Sequence, residues 1–147
     1  MDDYTIVHGV IARTDKAGFD NVRQQIKEYG YTMTAINCHS RNLHLDMCFN
    51  LVADRLAVVC SEALPESFLA MLKKRKFELI DVSQEGVFRH YCNIQCLGSD
   101  RVISFKNNAD VNSRLKTLGI NVIEVEIEEI LKAGGGPHCM TFPLLRA

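Results

Sequence analysis

Residues 93–127, NIQCLGSDRVISFKNNADVNSRLKTLGINVIEVEI, decide the fold. NIQCLG and RVISF are short, apolar runs that face each other across Ser99 and Asp100, the pattern of a tight hairpin. ADVNSRLKTLG then reads as a helix closed by Gly119, and NVIEVEI as a strand. The stretch is thus one unit of strand, strand, helix and strand.

The same order precedes it. LHLDMCFNLVADRLAVVC, residues 43–60, reads as two strands turning at Ala53 and Asp54, with Leu43, Leu45, Met47 and Phe49 alternating against His44, Asp46 and Cys48. Pro65 suits the first turn of a helix through ESFLAMLKKRK, because its missing N–H is no loss there, and FELIDV follows as a strand. At the N-terminus YTIVHGVIA reads as a strand. KAGFDNVRQQIKEYG is a helix with Phe19, Val22 and Ile26 at helical spacing and a stop at Gly30, and YTMTAI is a further strand. This first unit lacks one strand, which CMTFPLL at the C-terminus could provide. The units match in element order rather than residue identity, and no linker or low-complexity tract divides them. The expectation is an internally repeated α/β fold of about three such units in one domain over 1–147, with an open α/β sandwich as the alternative.

Composition narrows the function. A chain of 147 residues can bury one core, and 17 basic against 18 acidic residues leave no field to gather nucleic acid. Runs such as Leu56 to Cys60 are too short to cross a bilayer, and MDDYTIVHG is acidic where an export signal would be basic, so the expected location is cytoplasmic. The six cysteines then read as reduced thiols, most of them small core residues. A zinc site from His90, Cys92 and Cys96 lacks a second well-spaced pair, so no metal is expected.

Two stretches could carry chemistry. In GGGPHCMT, residues 134–141, Gly134, Gly135 and Gly136 let the backbone approach a ligand closely, and Cys139 follows at the rim of an expected strand, accessible as a nucleophile must be. His138 would point to the opposite face of that strand. In LHLD, a strand would project His44 and Asp46 side by side, an imidazole to move protons and a carboxylate to orient it or to hold a cation. The same pair is also consistent with a purely structural role, and the glycines with backbone packing alone.

Together, LHLD, NIQCLGSDRVISF and GGGPHCMTFPLLR, in this order, resemble the C-terminal half of the guanidino-group-modifying superfamily of arginine deiminases, dimethylarginine dimethylaminohydrolases and amidinotransferases. IVHGVIARTDKAGFDNVRQQIKEYG is similar to the strand and helix before the family's histidine motif, with Arg13 and Thr14 matching its Arg-Thr pair. The resemblance implies an α/β-propeller (pentein) fold, Cys139 as nucleophile, His44 as general acid/base, Asp46 as a guanidinium ligand, and no cofactor. It also implies a small guanidino compound as substrate, either hydrolysed or made to transfer its amidino group. Asn93 matches an asparagine at the family's hairpin, where fixing the turn is its expected role. Family members are longer: their N-terminal half supplies a second guanidinium-binding aspartate and an acid that orients the histidine, and Asp2 and Asp3 do not match either. A truncated domain of about three units out of five leaves three alternatives. A homodimer completes the ring, the units close on themselves, or the site is catalytically incomplete and serves as a ligand-binding or interaction module.

Overall fold

The computed structural model describes residues 4–38, 41–142 and 144. Its strands and helices follow in the order β1 (Thr5–Val10), α1 (Lys16–Ile26), β2 (Thr32–Asn37), β3 (Phe49–Ala53), β4 (Leu56–Val59), α2 (Glu66–Lys74), β5 (Glu78–Asp81), α3 (Gln84–Phe88), β6 (Gln95–Gly98), β7 (Arg101–Phe105), α4 (Ala109–Thr117), β8 (Asn121–Val125) and α5 (Glu128–Leu131).

Two units have the same topology. In each, the middle strand pairs antiparallel with the strand before it and parallel with the strand after it, giving the orders β3-β4-β5 and β6-β7-β8. A helix makes each parallel crossover, since parallel neighbours need a long connection. The first unit holds only β1 and β2, paired in parallel across α1. Asp15 caps α1 by accepting from the Gly18 N–H at 2.8 Å, and Gly30 closes the following 3₁₀ turn at φ 79°.

β4 ties the core together. All four of its residues are buried, and the two-residue period of a strand sends Ala57 and Val59 into one cluster with Phe49, Phe68 and Leu72, and Leu56 and Val58 into another with Ile94, Val102 and Leu115. No residue of β1 is buried to that degree, and in β2 only Ile36 is. β3 lies against β6, which brings the two complete units edge to edge.

The structure corrects several sequence expectations. Residues 43–48 are not strand: the Met47 and Cys48 N–H groups donate to the His44 and Leu45 carbonyls, making a 3₁₀ turn over Leu45–Met47, and the strand starts at Phe49. Alternation of apolar and polar residues was a misleading signal there, because a single turn also places neighbouring side chains on different sides. The first hairpin turns one residue later than expected, at Asp54 and Arg55, because Ala53 pairs with Leu56. β8 ends at Val125, two residues short of the expected strand, and Glu128 and Glu129 open α5. CMTFPLL forms no strand in its described part: residues 137–140 are a turn and 141–142 have no regular structure, while Pro143 and Leu145 lie outside the described residues. Asp2, Asp3 and His39 lie outside them as well. Among the described residues no helix is long and apolar enough to cross a membrane.

Candidate active site

The turn of residues 45–47, the lead-in to β6 and the glycine-rich turn of residues 134–141 meet at a single side chain, Asn93. It is 1% exposed, and its amide is used in full. Its Oδ1 accepts from the Gly136 N–H at 2.9 Å and from the Cys139 N–H at 3.1 Å, while its Nδ2 donates to Asp46 Oδ2 at 3.0 Å and lies 3.0 Å from Cys139 Sγ. An amide offers two donors and two acceptor positions, and all four are taken, which fixes which end carries oxygen.

Asp46 Oδ2 is the second meeting point. Besides Asn93 it receives the Cys139 thiol at 3.2 Å and lies 3.0 Å from His138 Nδ1. Oδ1 of the same carboxylate has no hydrogen bond among the described residues and is left for another donor. Burial opposes the charge on Asp46, but hydrogen bonds from His138 and Cys139 outweigh it, so the carboxyl is held below its ordinary value. For Cys139 the balance runs the other way. Partial burial, then the charge and hydrogen bond of Asp46, push the thiol up against the lesser, opposite effect of Asn93. The ligand-free sulfur is therefore a thiol at neutral pH.

The glycine-rich turn is tied at both ends. Gly134 and Gly135 take φ values of 90° and 98°, which side chains rarely adopt, and Gly136 is packed so closely that a Cβ would lie 2.9 Å from the Asn93 carbonyl oxygen. Past the cysteine, the Thr141 hydroxyl lies 2.9 Å from Gln95 Oε1 on β6. Cys139 itself is exposed, whereas Cys48, Cys60 and Cys92 are buried and all six thiols are free. Burial pushes the Cys60 and Cys92 thiols up.

Of the expected trio, Cys139 and Asp46 meet and His44 does not join them. The His44 ring is exposed, and its Nε2 lies 3.4 Å from Arg13 Nη1. A guanidinium can only donate, so Nε2 faces it with its lone pair. His138, expected to point away, is in contact with the carboxylate, because it sits on a turn rather than a strand and strand alternation does not apply. Asn93, expected to fix a turn, is the hub. Neither was legible from spacing, since 46 residues separate Asn93 from Cys139 in sequence.

A cleft of about 560 Å³ opens beside these groups, walled by Ile6 and Val7 of β1 and Phe49 and Leu51 of β3, with Asp46 and His138 on its surface. Clefts of about 420 and 610 Å³ lie around residues 105–107 and α5 and carry none of the candidate residues. Among the described residues no three His, Cys, Asp or Glu side chains are grouped to hold a metal ion.

A family model described as N,N dimethylarginine dimethylhydrolase, eukaryotic, matches residues 1–146. The uncharacterized protein YkgA of Bacillus subtilis strain 168 is 33% identical over 146 residues, which are 99% of this chain and 50% of that protein. Arginine deiminase 1 of Staphylococcus epidermidis is 28% identical over 100 residues, 63% of this chain and 24% of that one. The chain thus spans half or less of the length of these relatives. Among solved structures, an amidinotransferase of Microseira wollei from the saxitoxin biosynthetic pathway superposes with a TM-score of 0.83 at 19% identity, over 97% of this chain and 45% of its own. The repeated unit is that of the pentein-type α/β-propeller.

Proposed function

The chain belongs to the N,N-dimethylarginine dimethylhydrolase family, and from that premise we propose that it carries the nucleophile half of a guanidine-modifying site, with Cys139 as nucleophile. Family and fold support an activity of the guanidino-hydrolase or amidinotransferase type. The observation that carries the finer reading is the convergence of Cys139 Sγ, His138 Nδ1 and Asn93 Nδ2 on Asp46 Oδ2 beside a cleft.

A guanidinium is planar and cationic, so the free Oδ1 of Asp46 suits one of its N–H groups, and its positive charge offsets the two effects that keep Cys139 protonated, burial and the Asp46 charge. His44, which lies beside Arg13 and away from the sulfur, then has to swing in to take the thiol proton. The thiolate attacks the guanidinium carbon, forming the C–S bond. As the intermediate collapses a C–N bond breaks, and the departing amine takes the proton from His44. Water adds to the resulting thiouronium carbon and expels the thiol, leaving a ureido product, or an acceptor amine does so in an amidino transfer. No metal or organic cofactor takes part.

A second reading of the proton carrier is favoured by one observation. His138, not His44, has a carboxylate partner among the described residues. Turnover lost in His44→Ala and kept in His138→Ala supports His44, and the reverse assigns the role to His138.

The partner is a second copy of the chain, completing the ring. β4 and β7 each have a strand on both sides, whereas their counterpart β1 has only β2 among the described residues, and the free edge borders the cleft.

The test is release of ureido product or amine from a panel of guanidines. Cys139→Ala is expected to lower turnover by roughly a thousandfold or more. Turnover unchanged in that variant overturns the nucleophile assignment. Saturable guanidine binding without turnover overturns the catalytic reading in favour of ligand capture.

A further inference from the structure

Asn93 does more than hold the turn. Its Nδ2–H points at the sulfur, and this direction is imposed rather than free, because Oδ1 is held on the other side by the Gly136 and Cys139 N–H groups. In the thiol state Cys139 donates to Asp46 and accepts from Asn93. When the proton leaves, the first bond disappears and the second remains. A hydrogen bond to an anion is roughly twice as strong as one between neutral groups, so the Asn93 donor gains strength where Asp46 becomes repulsive.

The backbone carrying Asn93 is itself gripped from the neighbouring unit. Asn50, buried on β3, donates from its one Nδ2 to the carbonyls of Cys92 and Ile94, the residues on either side of Asn93. Two protons on one nitrogen thus serve two carbonyls that flank the hub. Asn93 N–H closes the set by donating to the His90 carbonyl at 2.8 Å. Asn50 also lines the cleft beside Asp46 and His138, but among the described residues both of its side-chain hydrogen bonds go to these two carbonyls.

We propose that Asn93 is a catalytic residue, the donor that holds negative charge on the Cys139 sulfur, and that Asn50 is the positioning residue that aims it across the junction of the two units. This rests on reading Cys139 as the nucleophile. The titratable groups that bear on the sulfur are Asp46 directly and His138 through Asp46. Neither is substituted in the variants below, although the Asn93 variants also lose the Asn93 bond to Asp46 Oδ2.

The experiment follows the rate of Cys139 carbamidomethylation by iodoacetamide against pH on the full chain, with each thiol read separately by peptide mass spectrometry. The thiolate displaces iodide, so the rate follows the fraction of sulfur that has lost its proton. Because the wild-type thiol is pushed up, the rate is low at neutral pH and rises through an inflection above the ordinary thiol value of about 8.5. Asn93→Asp keeps the shape and one acceptor oxygen but puts a carboxylate oxygen, with a charge of its own, in place of the donor toward sulfur. Asn93→Leu, which removes the donor without adding charge, is therefore labelled beside it and has to shift the same way. The inflection is expected to move up by about one pH unit or more, with labelling about tenfold slower at pH 8. Asn50→Leu, similar in size but without donors, is expected to move it the same way by less. Asn93→Gln, which carries the amide one carbon further, stands in should Asn93→Asp not fold, and folding is judged by near-ultraviolet circular dichroism.

An inflection unchanged in a folded Asn93 variant overturns the catalytic role, and one unchanged in folded Asn50→Leu overturns the positioning role. Labelling needs no guanidine, so these outcomes stand apart from the turnover panel. A protein that turns over no guanidine can still show the shift, and one that turns over guanidines can fail to show it.

Discussion

Gly134, Gly135 and Gly136 are three different residues in physical terms. At Gly134 a Cβ meets open space, so Gly134→Ala costs only the strained φ of 90°, roughly 1–2 kcal/mol. At Gly135 the added atom would lie 2.9 Å from Cys139 Cβ, and at Gly136 2.9 Å from the Asn93 carbonyl oxygen and 3.0 Å from its Oδ1. These substitutions push on the nucleophile and on the hub, and each is expected to cost about 1–3 kcal/mol and to change the rate of Cys139 labelling. Gly134→Ala is expected to lower the melting temperature and leave that rate alone. Equal labelling rates in Gly134→Ala and Gly136→Ala would show that the glycine run merely shapes the backbone. The triplet itself was visible in sequence. What each glycine faces was not, because Asn93 reaches it only through the fold.

At the scale of elements, the hairpin between β6 and β7 is the feature that local chemistry controls best. Its two turn residues, Ser99 and Asp100, sit at φ 49° and 54°, a primed turn whose twist matches the flanking strands. Asn followed by Gly tolerates that conformation better, so Ser99→Asn with Asp100→Gly is expected to stabilise the chain by roughly 0.5–1 kcal/mol and to raise Tm by a few degrees. A lower Tm in calorimetry would contradict this assignment of the turn. Local signals of this kind made the hairpins, the helices and the strands that follow them in the two complete units legible. They failed where elements are short. α3 rests on one turn capped by the Ser83 hydroxyl, and the turn at residues 45–47 follows from an inward-facing Asp46 that a strand template had placed beside His44.

For the whole molecule the open question of geometry is the edge of β1. Tyr4 and Ile6 are exposed there, and the strand that β3 and β6 supply to their own units has no counterpart among the described residues. Unpaired strand edges attract partners. With a second copy completing the ring, sedimentation equilibrium is expected to show a dimer, and Ile6→Lys, which places a charge on that strand, is expected to shift it at least tenfold in dissociation constant towards monomer. A monomer at all accessible concentrations would remove the homodimer from the proposal. An unaltered dimer in the variant would place the interface elsewhere.

Periodicity, turn residues and caps act over a few positions, and for that reason the sequence by itself determined the repeated strand-strand-helix-strand units and the presence of a cysteine just after a glycine run. The motifs also pointed to the family that the comparisons bear out. Which groups share a carboxylate was decided only in three dimensions. Asp46, Asn93 and Cys139 come from three segments far apart in the chain, and His138 faces Asp46 because residues 137–140 turn instead of extending. A hydrogen-bond hub is a property of where segments cross, and crossing is set by the burial of β4 and the contact of β3 with β6, not by any local pattern around the residues that form the site.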